Sequence, residues 1–146
     1  MTTYLNVFVL GDYICGYLYN LFHINIIMKP DKIIYDNQNE ILSKILEVLR
    51  KELNSEAYIF GSLARKEFGK YVEKYDGHDG SDIDVVFFGD KGKWKYLNVS
   101  KGWWDLYRGP KIEINGTIHK VDLVIVKKGC EQKAREKIKE WKVIKI

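Results

Sequence analysis

Gly80-Ser81-Asp82-Ile83-Asp84-Val85-Val86-Phe87-Phe88 is the stretch that decides the fold. Two aspartates one residue apart head an apolar run that reads as a buried strand. Side chains in a strand alternate faces and each residue rises about 3.3 Å, so Asp82 and Asp84 share a face with carboxylates about 7 Å apart. A third aspartate, Asp122, interrupts a second apolar run, Lys120-Val121-Asp122-Leu123-Val124-Ile125-Val126. Carboxylates that converge at the end of a hydrophobic sheet repel one another and lose solvation, so they require protonation or a cation. All the candidate ligands are oxygens, with no cysteine and no ordered histidine spacing beside them, which favours Mg²⁺ or Mn²⁺ over Zn²⁺. Mg²⁺ completes its shell with water and substrate phosphates, which points to a polyphosphate.

The segment upstream supplies the other half of a phosphate site. Ala57 to Phe60 is a short apolar run that ends at Gly61-Ser62, and Leu63-Ala64-Arg65-Lys66-Glu67 reads as the start of a helix. Glycine allows a sharp turn and a close backbone approach, serine offers a hydroxyl and an N–H, and a helix start aims N–H groups at an anion. Arg65 adds a charge-assisted contact. The Walker pattern G-x-x-x-x-G-K-[ST] does not occur.

Taken in order, Gly61-Ser62-x-Ala64-Arg65, then Ser81-Asp82-Ile83-Asp84, then Val121-Asp122-Leu123 resembles the DNA polymerase β-type nucleotidyltransferases, and within them the small single-domain branch called minimal nucleotidyltransferases. The resemblance covers the stretch from Asn39 to Val126. It implies that Asp82 and Asp84 hold two Mg²⁺ ions, that Asp122 completes the catalytic ion's shell, and that Gly61 and Ser62, with Arg65 and Ser81, grip a nucleoside triphosphate, ATP first among them. It further implies transfer of a nucleoside monophosphate to a hydroxyl on a partner protein, a small helical toxin of HEPN type in a two-gene module. Masking of that partner without chemistry, or transfer to RNA or to a small molecule, are the alternatives. In this sequence Lys66 stands where the family usually has glycine. The link from Phe68 to Gly80 and the Lys-, Gly- and Trp-rich segment from Gly89 to Pro110 are both longer than the family pattern.

The rest of the chain fits one α+β domain, a mixed sheet flanked by helices. Asn37-x-x-Glu40 predicts a capping box, followed by a helix with Leu42, Ile45, Leu46, Leu49 and Leu53 on its buried face and a stop at Asn54-Ser55. Strands are expected at Ala57–Phe60 and Ile83–Phe88, and a hairpin over Lys111–Ile114, Asn115-Gly116 and Thr117–Val126 with a type I′ turn that brings Asp122 beside the other aspartates. A last helix from Glu131 to Trp141, with Ala134, Ile138 and Trp141 on one face, precedes a short strand at Val143-Ile144. Asp76-Gly77-His78-Asp79-Gly80 lacks the alternating acids of a calcium loop and reads as a flexible turn. Trp94, Tyr96, Trp103, Trp104 and Tyr107 read as packing rather than as a stacking platform.

Composition narrows the function classes. The 146 residues are 46% hydrophobic, enough for one core, and a formal net charge of +4 permits an anionic substrate without marking a dedicated nucleic-acid binder. The late cluster from Lys127 to Lys142 reads as a solvated helix face. Two cysteines, Cys15 and Cys130, imply no disulfide framework and suit a cytoplasmic, reducing setting. Residues 1–28 stand apart as an apolar leader: no Lys or Arg occurs before Lys29, and Asp12, Asn20, His23 and Asn25 interrupt any spanning run, so no membrane span is expected. The segment reads as a peripheral element of the domain, a weak membrane-associating segment or, the favoured reading, translated sequence ahead of the true start. Met28 offers an alternative start, with the nucleotidyltransferase domain over residues 29–146.

Overall fold

A computed structural model of the chain describes residues 30–75 and 77–146. The expectations for the leader and for a start at Met28 lie outside the described residues. Strands β1 (Lys32–Ile34), β2 (Ala57–Phe60), β3 (Gly69–Tyr75), β4 (His78–Gly80), β5 (Ile83–Phe87), β6 (Lys95–Lys101), β7 (Trp104–Ile114), β8 (Thr117–Val126) and β9 (Ile144–Lys145) are joined by helix α1 (Gln38–Glu52) after β1 and α2 (Glu131–Ile138) after β8. One sheet has the order β6-β7-β8-β5-β2-β9 and a smaller one β1-β3-β4. In the larger sheet β5 and β8 run parallel while β2, β7 and β9 pair antiparallel, which is the expected mixed sheet.

Alternation along the central strands sorts the core into two layers. Ile83, Val85 and Phe87 of β5 share one face with Val121, Leu123 and Ile125 of β8, and that face packs on Ile41, Ile45 and Leu49 of α1. These α1 residues are at most 2% exposed, and burying each stabilises the fold by about 1.5–3 kcal/mol. The opposite face presents Val86, Val124 and Val126 to Ala134 and Ile138 of α2. By the same alternation Asp84 and Asp122 belong to this second face, and both remain only partly buried. The face is therefore apolar at one end and acidic at the other.

Several elements depart from the sequence expectation. Asn37 does begin α1, but its side chain caps no backbone N–H; its amide donates to Glu40 Oε1 at 3.0 Å, and its oxygen accepts from Asn115 Nδ2 at 3.2 Å. Tertiary tethering to the β7–β8 turn replaces the capping box. The segment from Gly89 to Pro110 is not a long loop, since it holds β6 and the first half of β7, which pair antiparallel. Likewise the link from Phe68 to Gly80 folds as the β3–β4 hairpin. The expected Asn115-Gly116 turn does form, with both residues at positive φ (49° and 82°) as a type I′ turn demands. Helix α2 stops at Ile138, short of Trp141, and the last strand lies one residue later than expected, at Ile144–Lys145. Trp103 is buried, Trp94 and Tyr107 pack on the α1-side core and Trp104 on the α2-side core, as packing residues should, whereas Tyr96 of the edge strand is exposed. Among the described residues no helix is long and apolar enough to cross a membrane.

Candidate active site

Strand register places the acidic residues. Asp84 of β5 lies directly beside Asp122 of β8, and Asp122 in turn faces Arg108 of β7, which faces Lys95 of β6. On the other side Asp84 faces Phe60 of β2, so one rung across five strands reads Lys95, Arg108, Asp122, Asp84, Phe60. Paired residues share a face, and this is the face α2 leaves partly open. Arg108 donates from Nη1 to Asp122 Oδ1 at 2.6 Å. Burial, then the negative charge of nearby Asp82, push the Asp122 carboxyl up to about 6, while Arg108 pulls it back. Asp82, just before β5, completes the group: its Oδ1 lies 3.2 Å from His78 Nδ1, yet the two are out of line and neither buried atom has a hydrogen-bond partner. The structure thus sets Asp84 beside Asp122 and Asp82 close enough to act on the Asp122 carboxyl.

The Gly61-Ser62 turn abuts this group. Gly61 follows β2 at φ 76°, and a Cβ placed on it would come within 2.3 Å of Asp84 Oδ2, so only glycine allows the turn to touch the carboxylate. The expected helix does not follow. Residues 61–66 form a turn held by Arg65 N–H to Gly61 O at 3.1 Å, Lys66 N–H to Leu63 O at 3.2 Å and Glu67 N–H to Ser62 O at 2.8 Å. Lys66 stops it, because at φ 61° it occupies the left-handed region where the resembled family uses glycine. The turn and Arg65 therefore stand here with no helix terminus behind them. Arg65 is 53% exposed and its Nε lies 3.2 Å from Glu67 Oε1.

Ser81 stands differently from the expectation of a nucleotide contact. It is 3% exposed, its hydroxyl accepts from Gly69 N–H at 3.3 Å, and its own N–H donates to Gly69 O at 2.9 Å. Its carbonyl accepts from His119 Nδ1 at 2.7 Å. That bond requires the proton on Nδ1, which leaves Nε2 to accept from the Tyr35 hydroxyl at 3.0 Å. Burial holds the His119 pKa below its usual value, consistent with a neutral ring. The ring also fills the space beside Gly80, where a Cβ would meet it at 2.2 Å. Tyr35, His119 and Ser81 therefore clamp the peptide that presents Asp82. Sequence reading missed His119. Its one available sign was a histidine at a core-facing position of an otherwise apolar alternation.

Among the described residues no three His, Cys, Asp or Glu side chains are drawn together closely enough to hold a metal ion as they stand. Their chemistry nonetheless fits a hard cation. Asp82 Oδ1 is buried without a hydrogen bond and burial disfavours Asp122 as an unneutralised carboxylate, while Arg108 occupies Asp122 Oδ1 and has to yield that oxygen to an ion.

The site thus sits in an α+β fold, a mixed sheet with helices on both faces that carries acidic residues on adjacent parallel strands beside a glycine turn. The sequence model of the nucleotidyltransferase domain family matches residues 42–145, and the chain belongs to that family, whose members are nucleotidyl-transferring enzymes. The match begins within α1 and spans the Gly61-Ser62 turn, all three aspartates and α2. No curated protein and no solved structure shows significant similarity to the chain.

Proposed function

We propose that this protein is a Mg²⁺-dependent enzyme that transfers a nucleoside monophosphate from ATP to a hydroxyl. The observation that carries the reading is the register of Asp84 with Asp122, with Gly61 seated against Asp84. Asp82, Asp84 and Asp122 are the proposed metal ligands, and Mn²⁺ suits the same oxygens. Two bound ions supply Lewis-acid activation of the acceptor hydroxyl and charge neutralisation on the leaving pyrophosphate. Gly61, Ser62 and Arg65 hold the triphosphate so that the bond being broken lies against the carboxylates. Among the described residues the Ser62 hydroxyl and N–H engage in no hydrogen bond, which leaves both for a phosphate oxygen. Ser81 serves the nucleotide indirectly, by fixing Asp82. Asp122, on the acceptor side of the site, accepts the proton of the acceptor hydroxyl.

The acceptor we propose is a hydroxyl on a small helical partner protein of toxin type, in the cytoplasm, following the resemblance to the minimal branch. A second reading, transfer to an RNA end, is favoured by one observation. Lys95 faces Arg108 and Lys111 faces Lys120 across adjacent strands on the Asp122 side, and such like-charged pairs cost stability unless an anion joins them. Incubation with Mg²⁺, α-labelled ATP and either the neighbouring-gene protein or RNA separates the two. Label on the protein alone supports the first reading, label on RNA alone the second, and label on neither removes both.

A further inference from the structure

On the side of Asp84 away from Asp122, a groove of about 360 Å³ is lined by Phe60, Gly61, Arg65, Trp141 and Lys142. Its wall is aromatic. The Trp141 ring centroid lies 5.0 Å from that of Phe60 and 6.1 Å from that of Trp103, and the Trp141 N–H donates to Ile138 O at 3.1 Å. These contacts fix the segment that follows α2 and aim the next residue at the groove. Two of the five lining residues are cations and none is acidic. Glu67 takes up part of the Arg65 charge from outside the groove, whereas no ion pair among the described residues holds Lys142.

We propose that Lys142, facing Arg65, binds the terminal phosphate of the nucleoside triphosphate, and that Trp141 positions it. The inference rests on the nucleotide-binding reading above and extends the site to a part of the chain far from every motif. Its logic is directional. The phosphorus under attack has to lie at the carboxylates, so the donor's two ends leave that point on different paths. The end that passes Gly61, Ser62 and Arg65 is the one that anion-binding groups hold, the pyrophosphate. The groove continues from Gly61, and Lys142 adds the remaining cation where the chain of phosphates ends. Before transfer it holds the terminal phosphate, and after transfer the same contact holds pyrophosphate.

Calorimetry on the full-length chain with Mg²⁺ tests the assignment, using ATP, inorganic tripolyphosphate and AMP as probes. Lys142 is exposed, so Lys142→Gln folds as the parent does. The variant is expected to bind ATP and tripolyphosphate about tenfold more weakly, as loss of one charge-assisted contact implies, with AMP binding unchanged. Lys142→Arg restores most of the affinity, and Trp141→Phe, which keeps an aromatic wall, retains it. Parent-like affinity of Lys142→Gln for both polyphosphates overturns the assignment, as does an equal loss for AMP. A parent protein that binds none of the probes overturns instead the nucleotide-binding reading on which it rests.

Discussion

Replacement of Asp122 by Asn should make the metal-free protein more stable at neutral pH while it destroys transfer. The folded state raises the Asp122 pKa from 3.8 to about 6, chiefly through burial and the nearby Asp82. In the folded protein this carboxyl therefore holds its proton more tightly than in the unfolded chain. Below pH 3.8 both states are protonated and the group is neutral to stability. As pH rises through 3.8 toward 6 the unfolded chain loses its proton first, so stability falls, and above 6 the full penalty is present. A rise of that size corresponds to at most about 3 kcal/mol. Asn removes the charge and keeps a carbonyl to accept from Arg108, whose attraction for the carboxylate the raised pKa already includes. The expected gain is therefore up to about 3 kcal/mol at pH 7.5, vanishing near pH 4, measured by urea unfolding in EDTA at both values. A variant less stable than the parent at pH 7.5 would refute the reasoning, because Asp122 would then be a structural partner of Arg108. The same substitution should retain ATP binding and lose turnover by several orders of magnitude in the transfer assay.

Other substitutions probe the supports of the site. Gly61→Ala forces a Cβ against Asp84 Oδ2 at a positive φ, so it should cost about 1 kcal/mol or more in urea unfolding and weaken triphosphate binding measured by calorimetry. Lys66→Gly relieves the left-handed backbone at φ 61° and should raise the stability measured by urea unfolding by about 0.5–1 kcal/mol. Removing both polar atoms in His119→Phe strands the Ser81 carbonyl and the Tyr35 hydroxyl, with an expected loss of about 2–4 kcal/mol by the same measurement. Arg135→Ala frees Glu56, whose carboxyl Arg135 and then Tyr58 hold down at about 2 instead of 4.5. The pair's contribution is present above pH 4.5 and lost as pH falls toward 2, so the variant and parent should converge in acid unfolding.

What the sequence made legible was whatever depended on short-range pattern. Alternation around Asp84 and Asp122 was enough to set them on strands, and the Asn115-Gly116 turn fixed the start of the β7–β8 hairpin. What sets Asp122 beside Asp84, however, is the parallel β5–β8 pairing, and a register shift between Arg108 and Lys111 decides what faces Asp122. The helix expected after Ser62 failed for a local reason as well. Its five residues are too few to nucleate without a continuing apolar stripe, and Lys66 turns the chain left-handed. Strand β6 was hidden because as an edge strand it is exposed almost throughout and carries lysines where a buried strand would carry valine. The capping box gave way to a contact between Asn37 and Asn115, 78 residues apart, and no window reading contains such a partner. His119 and Lys142 escaped for the same cause, since each acquires its meaning only when distant strands or turns are assembled.

The central claim is that Asp82, Asp84 and Asp122 move a nucleoside monophosphate. The most direct measurement supplies the protein with Mg²⁺, an extract of its own host and ATP labelled in parallel at the α- or the γ-phosphate. The account predicts a covalently labelled acceptor from α-labelled ATP only, with release of pyrophosphate, and no label when Asp84 is replaced by Asn. Labelling from the γ-phosphate, or labelling that survives Asp84→Asn, would contradict it.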